Sequence, residues 1–245
     1  MAVLGETGRF PIALKALSLG IKYWHKVASG TSPNELLTRS FLSDSNMPSK
    51  WLQNIKYLLM VNGHGNVWAY PNSVTNHCFY KTFQKRLEDQ FVQRWFEKAR
   101  TSTSLSTLNI LKQEYSFGTY LSQIKSPNMR RIYVRLRLNY GILNHSRINN
   151  PSNQLCKLCD SGFIENITHF LCECPKLKQE RVTFLQSINS YIPRFDKLAN
   201  DEKIKIILNL DTYNTTIYRV GNLSSACIDL LLSYIKTIIN IRKNA

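Results

Sequence analysis

The chain has 245 residues, 43% of them hydrophobic and 11% aromatic, so it can build a core without disulfides and is not a disordered tail. Lys and Arg number 32 against 16 Asp and Glu, a formal net charge of +16. That excess is too large for an ordinary soluble enzyme of small metabolites and implies an anionic partner, most simply nucleic acid.

The N-terminal part reads as helices in series. Phe10-Pro11 opens the first, with Ile12, Leu14, Leu17, Leu19, Ile21 and Trp24 as its apolar side. Ser32-Pro33 starts a second through Leu36, Leu37, Phe41 and Leu42. Ser49 caps a third through Trp51, Ile55, Leu58 and Leu59. A turn follows at Asn62-Gly63-His64-Gly65-Asn66. From Cys78 to Trp95 the positions Phe79, Phe83, Leu87, Phe91 and Trp95 recur every four residues, which predicts a helix with an aromatic seam. A short helix is expected over Thr107–Tyr115.

Ser126-Pro127 begins a more informative helix. Met129, Ile132, Tyr133, Leu136 and Tyr140 fall at helical spacing toward a core, with Gly141 as the stop. Arg130, Arg131, Arg135 and Arg137 are expected mostly on the remaining surface. Between Tyr115 and Cys159 stand seven basic residues (Lys125, Arg130, Arg131, Arg135, Arg137, Arg147 and Lys157) and no Asp or Glu. A solvated helix face usually mixes both signs, so this one-sided run marks a candidate nucleic-acid patch.

Further on, Pro175 opens a helix through Leu177, Val182, Leu185 and Ile188. The last helix, Leu223–Ile241, carries Ile228, Leu231, Leu232, Ile235, Ile238 and Ile239 as a core or docking stripe. Asp229, Lys236 and Asn240 interrupt it, so a membrane span is not expected there, and no signal peptide is evident at the N-terminus. The address this implies is nuclear or cytoplasmic. In such a reducing compartment the six cysteines read as metal ligands or buried thiols, the latter for Cys78 and Cys227.

The strongest chemical signal is Cys156-Lys-Leu-Cys159, then His169, then Cys174: C-x2-C-x9-H-x4-C. Three thiolates and an imidazole form a preferred tetrahedral zinc set, and four protein ligands leave no open position, so one structural Zn2+ is expected. Asp160-Ser161-Gly162 provides a turn that lets the spacer fold as a small hairpin. Cys172 is an alternative fourth ligand; Cys174 is preferred for its five-residue step from His169 and its place before Pro175.

This cluster, within Leu155–Cys159 and Glu165–Pro175, resembles the C-terminal zinc knuckle of non-LTR, jockey-like (LINE-type) retrotransposon reverse transcriptases. Leu4-Gly5-Glu6-Thr7-Gly8-Arg9-Phe10-Pro11, Lys22-Tyr23-Trp24, Gly63-His64-Gly65-Asn66-Val67-Trp68, Phe83–Phe91 with Trp95, and Arg135-Leu136-Arg137 are similar to segments of that family in the same order. The similarity spans roughly residues 1–185. It implies a region that follows the polymerase thumb, in a truncated or domesticated copy or as only the end of a longer element, and helps hold RNA and target DNA. Family catalysis needs paired aspartates, and no Asp-Asp pair occurs here. Glu88-Asp89 and Asp201-Glu202 read as solvated helix charges. The chain itself is therefore not expected to be an enzyme.

The expected fold is mainly α: a helical bundle-like region, a small C-x2-C…H-x4-C zinc knuckle and a C-terminal helical segment. The expected division is residues 1–122 after the thumb, 123–150 basic helix and linker, 151–190 knuckle with its following helix, and 191–245 C-terminal segment. RNA or DNA is the expected partner, a membrane is not, and the polymerase part of a related element is a further candidate. Tyr140 and Phe163 or Phe170 could stack on unpaired bases, with Phe170 better explained as packing. The alternative function is a zinc-stabilised protein-interaction or scaffold module derived from a transposable element, using the Phe79–Trp95 seam and the last helix as partner surfaces.

Overall fold

The computed structural model describes residues 2–32, 34–46, 48–102, 105–112, 114–144, 154–210, 212–213 and 221–244. The chain divides into two compact units, Arg9–Trp95 and Phe96–Ala245 with Met1–Gly8. The stretches 123–150, 151–190 and 191–245, expected as separate segments, therefore share one unit. The chain is mainly helical.

In the first unit, helices α2 (Ile12–Ala28), α3 (Glu35–Asn46), α4 (Lys50–Val61) and α5 (Gly65–Ala69) precede the long α6 (Asn76–Thr101), which continues past the division. Ser49 caps α4 as expected, its hydroxyl accepting from the Leu52 N–H. Ile21, Trp24, Leu52, Ile55, Leu59, Val67, Phe79, Phe83 and Leu87 form the buried cluster. The apolar side of α2 is narrower than its sequence suggests, because Ile12 and Leu19 face solvent. The four-residue seam is fully buried, from Phe79 to Trp95. Cys78, one position before it, is exposed, which corrects its expected burial.

The turn at Asn62-Gly63 has Gly63 at φ +71°, where the Arg86 guanidinium lies over the missing side chain and donates to the Asn62 carbonyl. His25 is buried with both ring nitrogens engaged, Nδ1 3.0 Å from the Tyr80 hydroxyl and Nε2 2.7 Å from the Pro71 carbonyl. That geometry makes it a core group.

The second unit begins with α1 (Ala2–Thr7) and resumes after Trp95 through α7 (Ser106–Leu111), α8 (Tyr120–Gln123), α9 (Pro127–Arg137), α10 (Lys178–Ile188), α11 (Asn200–Asn209) and α12 (Ser225–Lys243). The short helix expected to reach Tyr115 ends at Leu111. Two-residue strands β1 (Thr212–Tyr213) and β2 (Gly221–Asn222) pair antiparallel. The core joins Tyr133 and Leu136 of α9, Phe184 and Ile188 of α10, Ile204 to Leu208 of α11 and the α12 stripe from Leu231 to Ile239. Phe184 and Tyr234 stack at 4.2 Å between centroids. Phe184, rather than the exposed Val182, fills the inner face of α10.

Ser126 caps α9 through the Met129 N–H, with Pro127 in the first turn. The helix stops before Gly141. Asn139 turns left-handed at φ +48°, and the Tyr140 N–H reaches back to the Arg135 carbonyl, closing the end at 2.8 Å.

Candidate metal centre and its basic surround

The first two donors sit on a hairpin. Leu155 bridges Ile164 antiparallel, with the Cys156 N–H donating to the Phe163 carbonyl and the Glu165 N–H to the Gln154 carbonyl, each at 2.8 Å. Asp160 at φ +47° and Gly162 at φ +73° reverse the chain between them. The spacer thus folds as the small hairpin expected.

The other two donors come from a helical turn with a wider backbone. The Asn166 side chain accepts from the His169 N–H at 2.8 Å and starts the turn. Over His169–Glu173 the backbone is π-helical, and the Cys174 N–H bonds to the His169 carbonyl five residues back. An i→i+5 closure brings the fifth residue round to the side of the first, which an α turn would rotate away. This explains why a five-residue step can deliver His169 and Cys174 to one ion.

The ligand atoms of Cys156, Cys159, His169 and Cys174 all lie within 4.8 Å of one another and could hold a metal ion. Cys156 Sγ is 4.0 Å from Cys174 Sγ, and Cys159 Sγ is 3.4 Å from His169 Nε2. Zinc bonds of about 2.3 Å to sulfur imply tetrahedral edges of roughly 3.8 Å, so the set is compatible with one zinc. Cys172 is not among the four. It packs against the core, where burial pushes its thiol up to about 11.

The electrostatics suit a metal-ligating set. Burial lowers His169 from its ordinary value, keeping the imidazole neutral and its nitrogen free to ligate. Burial pushes the Cys156 thiol up to about 12 and raises Cys174, so without a cation both stay protonated. At Cys159 burial acts upward too, but hydrogen bonds from the Ser161 hydroxyl and backbone and from the neighbouring thiols outweigh it, and the group lies below its usual value.

The centre is built into the helical unit. Cys156, Cys174, Phe170, Leu171 and Leu177 belong to the same buried cluster as α9 to α12. Helix α12 grips both halves. Tyr234 donates to the Leu171 carbonyl at 2.7 Å, within the π turn. Arg242 donates to both Glu165 oxygens, each at 2.7 Å, on the hairpin side. Glu165 also accepts from the Asn144 N–H at 2.8 Å, and the Arg181 guanidinium holds the Cys174 carbonyl at 3.1 Å.

The basic run is not all surface. Lys125, Arg131, Arg135 and Lys157 are exposed, and no acidic partner is seen for them among the described residues. Arg130 is half-buried and spends its guanidinium on the Ile124 carbonyl at 2.8 and 3.1 Å. Arg137 is 2% exposed and pairs with the equally buried Glu6 at 2.9 Å, so it is withdrawn as a phosphate contact. It further donates to the Leu208 carbonyl and Asn209, and its guanidinium lies 4.4 Å over the Tyr120 ring. Arg147 lies outside the described residues.

Of the candidate stacking rings, Tyr140 is 70% and Phe163 64% exposed, whereas Phe170 is core. Among the expected solvated acids, Asp89 pairs with Lys85 at 2.9 Å, and Asp201 and Glu202 occupy the first turn of α11. Sequence reasoning missed the Glu6–Arg137 and Glu165–Arg242 pairs. Their partners stand 131 and 77 residues apart, beyond any local pattern. No described helix is long and apolar enough to cross a membrane. Searches against protein-family models, curated proteins and solved structures find no match to this chain.

Proposed function

We propose that the chain is a non-enzymatic nucleic-acid-binding module of the kind it resembles in non-LTR retrotransposon reverse transcriptases. In this reading one structural zinc, held by Cys156, Cys159, His169 and Cys174, fixes the hairpin and π turn against the helical unit. Exposed cations on and beside α9 neutralise phosphates, which supplies affinity with little sequence choice. The carrying observation is the pairing of that four-donor cluster with Arg131 and Arg135. Both are exposed on one helix, within a stretch that has no acidic residue. Tyr140 and Phe163 are the exposed rings available to unpaired bases.

The test is binding of labelled single-stranded RNA, single-stranded DNA and duplex to the zinc-loaded chain across a salt series. Arg131→Gln/Arg135→Gln should weaken binding and flatten the plot of log affinity against log salt by about 0.7–0.9 for each phosphate that is no longer neutralised. An unchanged slope overturns the assignment of these two residues. Absence of binding at moderate salt by folded, zinc-loaded protein overturns the reading.

A second reading, a protein-interaction module, draws on the first unit, where half-exposed Tyr23 and Trp51 meet edge to face at 5.9 Å beside exposed Leu19 and Leu37. The Phe79–Trp95 seam and the α12 stripe, the surfaces expected to serve such a module, are consumed by internal packing.

A further inference from the structure

Arg131 and Arg135 share a cleft with two cations from the other end of the chain. A cleft of about 500 Å³ lies between α9 and the C-terminal turn of α12, lined by Asn128, Arg131 and Arg135 on one side and Arg242 and Lys243 on the other. Ile132, Ile142 and Ile239 line it as well, and none of its described lining residues is acidic. Arg131, Arg135 and Lys243 have no acidic partner among the described residues, so three uncompensated cations facing one concavity would repel one another unless an anion joins them. A helix C-terminus favours cations and disfavours anions, so an anion here must be held by these side chains rather than by the helix dipole.

Arg242 is not loose in this arrangement. Glu165 takes its Nε and one terminal nitrogen in a two-pronged pair, and Glu165 is 1% exposed. The Asn144 side chain adds a contact to the same guanidinium at 3.3 Å. Glu165 stands at the foot of the metal hairpin, its own N–H bonded across to Gln154. The hairpin that carries Cys156 and Cys159 therefore also sets the position of one wall of the cleft.

We propose that this cleft is a phosphate site for the backbone of a nucleic-acid strand, with Arg131, Arg135 and Lys243 as direct contacts and Glu165 as the positioning residue that aims Arg242. The proposal rests on the nucleic-acid reading above and adds to it a C-terminal wall and a link to the metal centre. With Nε and Nη2 engaged by Glu165 and Asn144, the Nη1 of Arg242 is left for a phosphate oxygen. Lys243, on the last turn of α12, supplies a point charge beside it.

The test measures anisotropy of a labelled twelve-nucleotide oligothymidylate and oligouridylate on full-length, zinc-loaded protein from low to moderate salt. Lys243→Gln should lower affinity several-fold and reduce the salt slope by about 0.7. Lys178→Gln, an exposed lysine on α10 outside the cleft, loses the same charge and should leave the slope unchanged. Glu165→Gln gives opposite signs for two explanations. If bulk charge governs binding, removing an acid raises affinity; if Glu165 aims Arg242, affinity and slope both fall while zinc content stays at one per chain. Should Glu165→Gln fail to hold zinc, Lys243→Gln and Arg242→Gln decide.

Wild-type binding with Lys243→Gln and Arg242→Gln indistinguishable from Lys178→Gln overturns the cleft and leaves the broader reading standing. No binding by wild type removes both. Cosedimentation with phosphatidylserine vesicles that depends on Lys243, with oligonucleotide binding indifferent to it, would reassign the cleft to a lipid surface and overturn the proposal.

Discussion

In residues 9–95 the interior is almost entirely aliphatic and aromatic, and its one buried histidine is satisfied by a hydroxyl and a carbonyl. The unit made by residues 96–245 with 1–8 has a similar apolar core. It also encloses a guanidinium, an ammonium, two carboxylates, three thiols and an imidazole. The first arrangement follows from apolar periodicity within each helix. The second depends on chemical pairings between residues far apart in the chain. Apolar packing tolerates approximate fit, whereas a buried charge or thiol needs its particular partner. The two units should therefore answer differently to the same perturbations. All four tryptophans (Trp24, Trp51, Trp68 and Trp95) fall in the first unit, Trp95 at its last position, so their fluorescence reports mainly on it.

Removal of the zinc proposed for the four-donor cluster should separate the units most. Structural zinc contributes about 10–16 kcal/mol in small peptides, so a chelator or Cys156→Ser/Cys159→Ser should abolish amide protection over residues 154–175 while tryptophan emission stays native. A parallel shift in emission would break the comparison. Metal uptake must displace the Cys156 proton, held up to about 12 by burial, so zinc retention should fall as pH is lowered.

The buried pair comes next. Arg137→Met leaves the Glu6 carboxylate without its cation and should cost about 3–5 kcal/mol in urea unfolding followed by circular dichroism. Glu6→Leu/Arg137→Met should recover a large part of that loss. A double variant no better than the sum of its singles would show that the pair is not a coupled unit.

Helix caps sharpen the comparison from the other side, because a local device should act alike in both units. Ser49→Ala and Ser126→Ala each remove a hydroxyl that accepts from the third residue of a helix, at about 1 kcal/mol apiece. Only the first should move the tryptophan-detected midpoint. A shift in that midpoint from Ser126→Ala would mean that the units unfold together.

The smallest effect belongs to His64. Burial, and then the Arg86 charge, lower it below the ordinary 6.5. A histidine kept neutral in the folded state contributes stability that is complete above its unfolded value and is lost as pH falls through the lower folded value. The tryptophan-detected midpoint should decline between pH 7 and 5, and His64→Gln should reduce that decline. An identical pH profile in the variant would remove His64 as its source.

Much is legible where the signal is local. The caps at Ser49 and Ser126, the seam from Phe79 to Trp95 and the hairpin between Cys159 and His169 are each written within a few consecutive residues. The convergence of Cys156, Cys159, His169 and Cys174 also follows from spacing, once a π turn lets a five-residue step face one way. Arg137 is misplaced by sequence because helical periodicity registers a charged residue as outward, and Glu6, its reason to turn inward, sits 131 residues earlier. Cys78 is misplaced because apolar neighbours in sequence need not be neighbours in space.

The amino-acid sequence by itself therefore determined the mainly helical character, the cap positions, the donor set of the candidate metal centre and the large positive charge. These depend on residue type and on spacings shorter than one supersecondary unit. Tertiary structure alone decided which cations face solvent, which thiol stands aside from the four-donor cluster, and how α12 closes over the hairpin to set Arg242 and Lys243 opposite Arg131 and Arg135. Those outcomes arise from pairing energies between distant residues, and only the folded chain brings such partners within reach of one another.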